Sequence, residues 1–196
     1  LSIEYRLAPE HPFPAAIDDT YSAYQWLINE GISPKHIIVS GQSAGGGLCL
    51  ALLLKIKENN ISQPLGAVAL SPWTDLSQSG KTMIKNEKID PVINKKYLDR
   101  FAKLYFPDLK NMSHLASPII GDLSGLPDIL IQVGSAETML DDSTRFYEKA
   151  KKANVNAKLE IWENMFHGWH SSAHILKDAE NAIVSIGKFC KKLLKQ

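Results

Sequence analysis

The apolar positions of this chain fall into short runs whose period changes from one run to the next. Ile17, Tyr21, Tyr24 and Ile28 are spaced 4, 3 and 4 residues apart, which places them on one face of a helix over residues 15–30. Asp18 and Asp19 near its start and Gly31 just past its end are the expected punctuation. HIIVS at 36–40 reads as a short buried strand, and residues 44–57 are apolar nearly all round, so that helix belongs in the interior. GAVAL at 66–70 and DILIQV at 128–133 are further strands. KLEIW at 158–162 alternates charged and apolar residues, as a strand near a sheet edge does. Helices are expected over 94–105 and over 141–154, the latter with Phe146, Tyr147 and Ala150 inward. Another follows at the C-terminus, where Ile175, Ala179, Ile183, Ile186, Cys190 and Leu193 form a helical stripe. Residues 1–6 look extended, and the prolines at 9, 12 and 14 mark a loop after them. The stretch 71–126 is less regular.

Strands separated by helices predict an α/β fold, a mostly parallel sheet covered by helices on both faces. Length allows one core, so residues 1–196 are taken as a single domain. In such sheets ligands bind at the carboxyl ends of the strands. Ser43, Glu137 and His167 each follow a predicted strand by a few residues.

Composition narrows the function classes. With 22 Lys and Arg against 21 Asp and Glu, no charge excess points to nucleic acid or a membrane surface. Lys188, Lys191, Lys192 and Lys195 cluster in the last turns of the C-terminal helix, where cations complement the helix dipole. Cys49 and Cys190 sit in apolar helical stretches without partners at metal-ligand spacing and read as buried thiols. The apolar run 45–54 is too short to span a bilayer and no signal peptide is visible, so a cytoplasmic protein without a cofactor is expected.

GQSAG at 41–45 fits the G-x-S-x-G nucleophile elbow, in which Gly41 and Gly45 allow a strand to turn sharply into a helix around Ser43. The Ala44 N–H at the helix start is then one oxyanion-hole donor. A serine hydroxyl needs a base. Of six histidines, His11, His36 and His114 read as structural or surface residues. His167 lies five residues past the last strand, before a glycine, in a loop able to reach Ser43. With His170 and His174 it also forms an HxxHxxxH array, but no carboxylate completes a metal site at helical spacing, so none is expected. The orienting acid belongs in GSAETMLDDS, where Glu137 lies nearest the strand end. Asp141 is the reserve, since Asp141 and Asp142 have a sufficient role at the start of a helix. The order Ser, acid, His matches that of hydrolases built on a strand–turn–helix elbow.

YRLAPEHPFPAA, GQSAGGGL, SPWTDL, GLPDILIQVGSAETMLDDS and MFHGW together resemble the hormone-sensitive-lipase-like branch of the α/β-hydrolases, the bacterial short-chain carboxylesterases that include acetyl esterases. The resemblance implies a serine carboxylesterase with Ser43 as nucleophile and His167 as base. It supports Glu137, where many members carry aspartate, over Asp141. The implied substrate is a small acyl ester hydrolysed through an acyl-enzyme. Residues 75–115 would form part of a cap over the acyl pocket, and relatives suggest a homodimer through 158–162. Gln42 departs from the Asp or Thr common before the nucleophile. The family's HGGG motif precedes YRLAPE and is not among these residues, so a truncated relative lacking the first strands and that oxyanion loop is expected. The alternatives are a non-catalytic ligand-binding protein or inactive remnant on the same scaffold, and a peptidase.

Overall fold

The computed structural model describes residues 1–195. Four strands, β1 (Ile38–Gln42), β2 (Gly66–Leu70), β3 (Asp128–Gly134) and β4 (Ala157–Trp162), form one sheet in chain order, and every neighbouring pair is parallel. The chain crosses from strand to strand through α2 (Ala44–Glu58), then α3 (Thr82–Lys85) and α4 (Lys95–Tyr105), then α5 (Leu140–Lys152). α1 (Ala15–Asn29) precedes the sheet and α6 (Lys177–Leu193) follows it.

Alternation along the strands decides which helix covers which face. Ala67, Ala69, Ile129 and Ile131 pack against Leu50, Leu53 and Leu54 of α2 and Phe146 and Ala150 of α5. The residues between them face the other way, where Gln132 donates to the Ala182 carbonyl of α6 at 3.1 Å. α1 lies on α2 rather than on the sheet, through Ile17 and Tyr24 against Ala51, Leu52 and Ile56. Leu50, Leu53 and Ile56 are fully buried, which is why α2 is apolar on nearly every side. Each such side chain stabilises the fold by about 1.5–3 kcal/mol.

Three details differ from the sequence expectation. Residues 1–6 form no ladder, because no described strand runs alongside them; Arg6 is held instead by the Asp19 carboxylate at 2.7 Å. His36 closes a 3-10 turn at Pro34–His36, so the strand begins two residues later and runs into the elbow. α6 starts after Ile175 and turns Ile183 to solvent; its buried residues are Ala179, Ala182 and Leu193. Alanines face inward because the helix backbone itself approaches the Gln132 side chain. Cys49 is buried and Cys190 half-buried.

Residues 75–115 carry α3 and α4 and gather a separate apolar cluster at the carboxyl end of the sheet. It joins Met83, Leu98 and Ala102 to Trp73, Leu76, Ala116 and Met139.

Candidate active site

Ser43 stands between β1 and α2 with φ 56° and ψ −120°, outside the regions that L-residues favour. Such a conformation costs on the order of 1–3 kcal/mol and persists only where surroundings over-determine it. Here its N–H donates to the Leu70 carbonyl at 2.9 Å, and its carbonyl accepts the N–H groups of Gly47 and Trp73, both at 3.0 Å. Gly41 is required, since a Cβ there would lie 2.1 Å from the Gly45 carbonyl oxygen. Gly45 is not closed in as the elbow motif suggested. A Cβ there meets nothing within 4 Å, because Gly45 borders a groove of about 480 Å³ between β1 and residues 1–5. Ala44 opens α2, so its N–H is among the first-turn amides without a partner in the helix, at the positive end of its dipole.

The other two predicted residues come to Ser43 from the ends of β3 and β4. His167 Nε2 lies 2.9 Å from Ser43 Oγ, and Nδ1 lies 2.9 Å from Glu137 Oε2. Nδ1–H donates to the carboxylate, which leaves Nε2 to accept the serine hydroxyl. His167 is 6% exposed and Glu137 not at all. The second Glu137 oxygen is also occupied, accepting the Ser71 hydroxyl and the Gly134 N–H, both at 2.7 Å. The two loops are tied to each other, with the Ala136 N–H donating to the Met165 carbonyl at 3.1 Å and the Asn164 N–H to Ser135 Oγ at 2.8 Å. Gly168 takes φ 73°, and its Cα is covered by the Gln42 amide, so the residue before the serine packs on the turn after the histidine.

The remaining candidates go elsewhere. Asp141 accepts the N–H groups of Lys81 and Thr82 at 2.6 and 3.2 Å and does not reach His167. Asp142 is buried and accepts the N–H groups of Thr74 and Asp75 at 2.8 and 2.9 Å. His170 pairs with Gln132 Oε1 at 3.0 Å, and burial, then the neighbouring His167, push its imidazole down to about 4. His174, His11 and His36 are exposed, and His114 pairs with Glu58 at 2.5 Å. Among the described residues no group of three His, Cys, Asp or Glu is placed to hold a metal ion. Sequence reasoning missed Ser71, whose only signal was a polar residue at the end of a buried strand. It also missed Asn86, whose amide donates to the Glu137 carbonyl at 2.8 Å and whose sequence context carries no signal at all.

Ser43 and Ala44 lie at a largely apolar cavity of about 380 Å³ walled by Trp73, Leu76, Leu98, Phe101, Leu104 and Leu115, with Tyr5 and Arg6 of the N-terminal segment also on its lining. A hydroxyl, an imidazole and a buried carboxylate in series, set beside free backbone N–H groups and an apolar cavity, have the layout of a site for acyl transfer.

Residues 1–171 match the family described as alpha/beta hydrolase fold, and the chain belongs to that family. Within it, the chain is 43% identical to an esterase of the bacterial hormone-sensitive lipase family whose structure is solved, with a TM-score of 0.95 over 97% of this chain and 64% of that one. An esterase of Acinetobacter venetianus is 38% identical over 98% of this chain and 64% of its own length. An acetyl-hydrolase of Streptomyces hygroscopicus is 37% identical over 97% of this chain and 64% of its own. The chain therefore spans about 64% of the length of these relatives. Among the described residues no helix is long and apolar enough to cross a membrane.

Proposed function

We propose that this chain carries the nucleophile, base and acid of a serine carboxylesterase that hydrolyses short acyl esters. The observation that carries the reading is the unbroken hydrogen-bonded series from Ser43 Oγ through His167 to Glu137, at the mouth of an apolar cavity. The names of the related esterases favour an ester over an amide.

In this reading the Ser43 oxygen attacks the ester carbonyl carbon while its proton passes to His167 Nε2. Glu137 keeps the Nδ1–H in place and stabilises the imidazolium that forms. The carbonyl oxygen gains negative charge facing the Ala44 N–H at the N-terminus of α2. Collapse breaks the bond to the alkoxy group, which leaves as the alcohol with the proton from His167. Water, deprotonated by the same imidazole, then releases the acid from Ser43. The cavity wall takes the apolar part of the substrate, with residues 75–115 as part of a cap over it. A second copy pairing through the open edge at 158–162 belongs to the same reading.

The test is intact-mass spectrometry after a fluorophosphonate is added to this chain, with Ser43→Ala as control. One adduct on the chain and none on the variant is the expected result. Adducts of equal yield on both would sink the reading.

A further inference from the structure

Besides its ties to Ser71 and to the loop of His167, the loop that carries Glu137 is gripped at several points by residues 82–93. Asn86 Nδ2 donates to the Ser135 carbonyl at 3.1 Å and to the Glu137 carbonyl at 2.8 Å. Asp90 Oδ2 accepts the Thr138 N–H at 2.8 Å, so the two side chains hold the main chain on both sides of Glu137. Thr138 Oγ1 donates in turn to the Ile93 carbonyl at 2.9 Å, and the Asp141 N–H donates to Thr82 Oγ1 at 3.0 Å. Asn86 and Asp90 are 4% and 6% exposed, so water competes little for these bonds. Most of them grip backbone atoms of the loop, which fixes the Glu137 Cα whatever its side chain does.

The same stretch continues into the wall of the cavity. Ile93, Leu98, Phe101 and Leu104 line it, and Met83 and Leu98 belong to one apolar cluster with Met139 of the acid loop. The cavity wall and the seat of the acid are thus one packed unit.

We infer that Asn86 and Asp90 are positioning residues that hold Glu137 against His167 from the segment that also walls the substrate cavity. The inference rests on the esterase reading for its functional meaning, but its geometry can be tested apart from turnover. Asn86→Leu keeps the shape of the side chain and removes the donor. Asp90→Asn leaves one oxygen to serve Thr138, Val92 and Ile93, which the two carboxylate oxygens now share.

Two readouts are taken on the 196-residue chain: the proton resonance of the His167 Nδ1–H, and the rate of Ser43 labelling by a fluorophosphonate. The resonance is expected in the parent and in Ser43→Ala, absent in Glu137→Gln, and lost or broadened in Asn86→Leu. Labelling of Asn86→Leu is expected to slow about tenfold to a hundredfold, the scale of a small misplacement of catalytic groups. Combining it with Glu137→Gln is expected to slow labelling no further than Glu137→Gln alone. Folded Asn86→Leu and Asp90→Asn proteins with the parent's resonance and labelling rate would overturn the inference, as would effects that multiply in the double variant. If Asn86→Leu does not fold, Asp90→Asn is judged alone by the same two measures. A resonance that depends on both Glu137 and Asn86, in a chain whose Ser43 is never labelled, would uphold the positioning and overturn the esterase reading instead.

Discussion

Glu137 and Asp142 lie five residues apart and are both fully buried, yet their surroundings treat them in opposite ways. Every oxygen of Glu137 is occupied, by the Ser71 hydroxyl, the Gly134 N–H and the imidazole of His167. Asp142 has one oxygen on two backbone N–H groups and the other, Oδ1, with no partner among the described residues. The nearby cation, Arg145, is turned to Asp75 at 2.9 Å. Burial therefore pushes the Asp142 carboxyl up to about 7, against the pull of the Asp75 and Thr74 N–H groups. A strongly shifted carboxyl is a common pointer to a functional site. Here it points past the group that touches the histidine. The partner set, rather than depth, separates a carboxylate that orients an imidazole from one that ties a loop to a helix.

The contrast is broken most severely at Glu137. Glu137→Gln keeps the size of the side chain but removes the charge facing the imidazole, and Ser43 labelling should slow by about 10⁴-fold, as loss of the orienting acid does in serine hydrolases. Asp142→Asn should leave that rate of the same order as the parent's. If the two variants slow labelling alike, the two carboxyl groups do not differ in the way their contacts imply. Asp142→Ala acts on stability instead. It strips the acceptor from the Thr74 and Asp75 N–H groups, both buried, and each orphaned donor costs about 1–3 kcal/mol. Urea denaturation should therefore report a loss of about 2–6 kcal/mol. A midpoint unchanged from the parent would mean that these N–H groups find other acceptors.

The difference between these residues also marks what was legible in the chain. The elbow is local: an apolar strand, a serine between glycines and a long apolar helix announce themselves within 22 residues, 36–57. Glu137 and His167 were singled out by their distance past strand ends, a rule that follows from where parallel sheets place their ligands. The helical stripe of the C-terminus misled, because Ile183 looks like a core residue, while the contact with Gln132 needs the small Ala182. What could not be read were the grips between distant segments. Ser71 meets Glu137 across 66 residues, Asn86 meets the same loop across 51, and Asp142 meets Thr74 across 68. Polar residues of these types occur throughout any loop, and nothing local tells which will be buried against a particular carbonyl.

Burial of Asp142 also leaves a slope in stability against pH. Asp142 holds its proton up to about 7 in the folded chain and releases it near the ordinary 3.8 when unfolded. Between those values the folded state binds more protons, so this group's contribution is fully present below about pH 4 and is lost as the pH rises through 7, at no more than about 1.4 kcal/mol per pH unit. His170 acts in the opposite sense, since burial lowers its imidazole from 6.5 to about 4 and stability is lost as the pH falls through that window. The two slopes oppose each other from about pH 4 to 6.5. Asp142→Asn cannot ionise, so only the His170 slope remains, and the variant's stability should climb with pH where the parent's stays nearly level. Urea denaturation of both at pH 4.5, 6 and 7.5 reads the difference, in which His170 cancels and Asp142 alone is left (pH values set at about the edges of the window). Parallel curves would mean that Asp142 is ionised throughout, and that two N–H groups are enough to hold a buried charge.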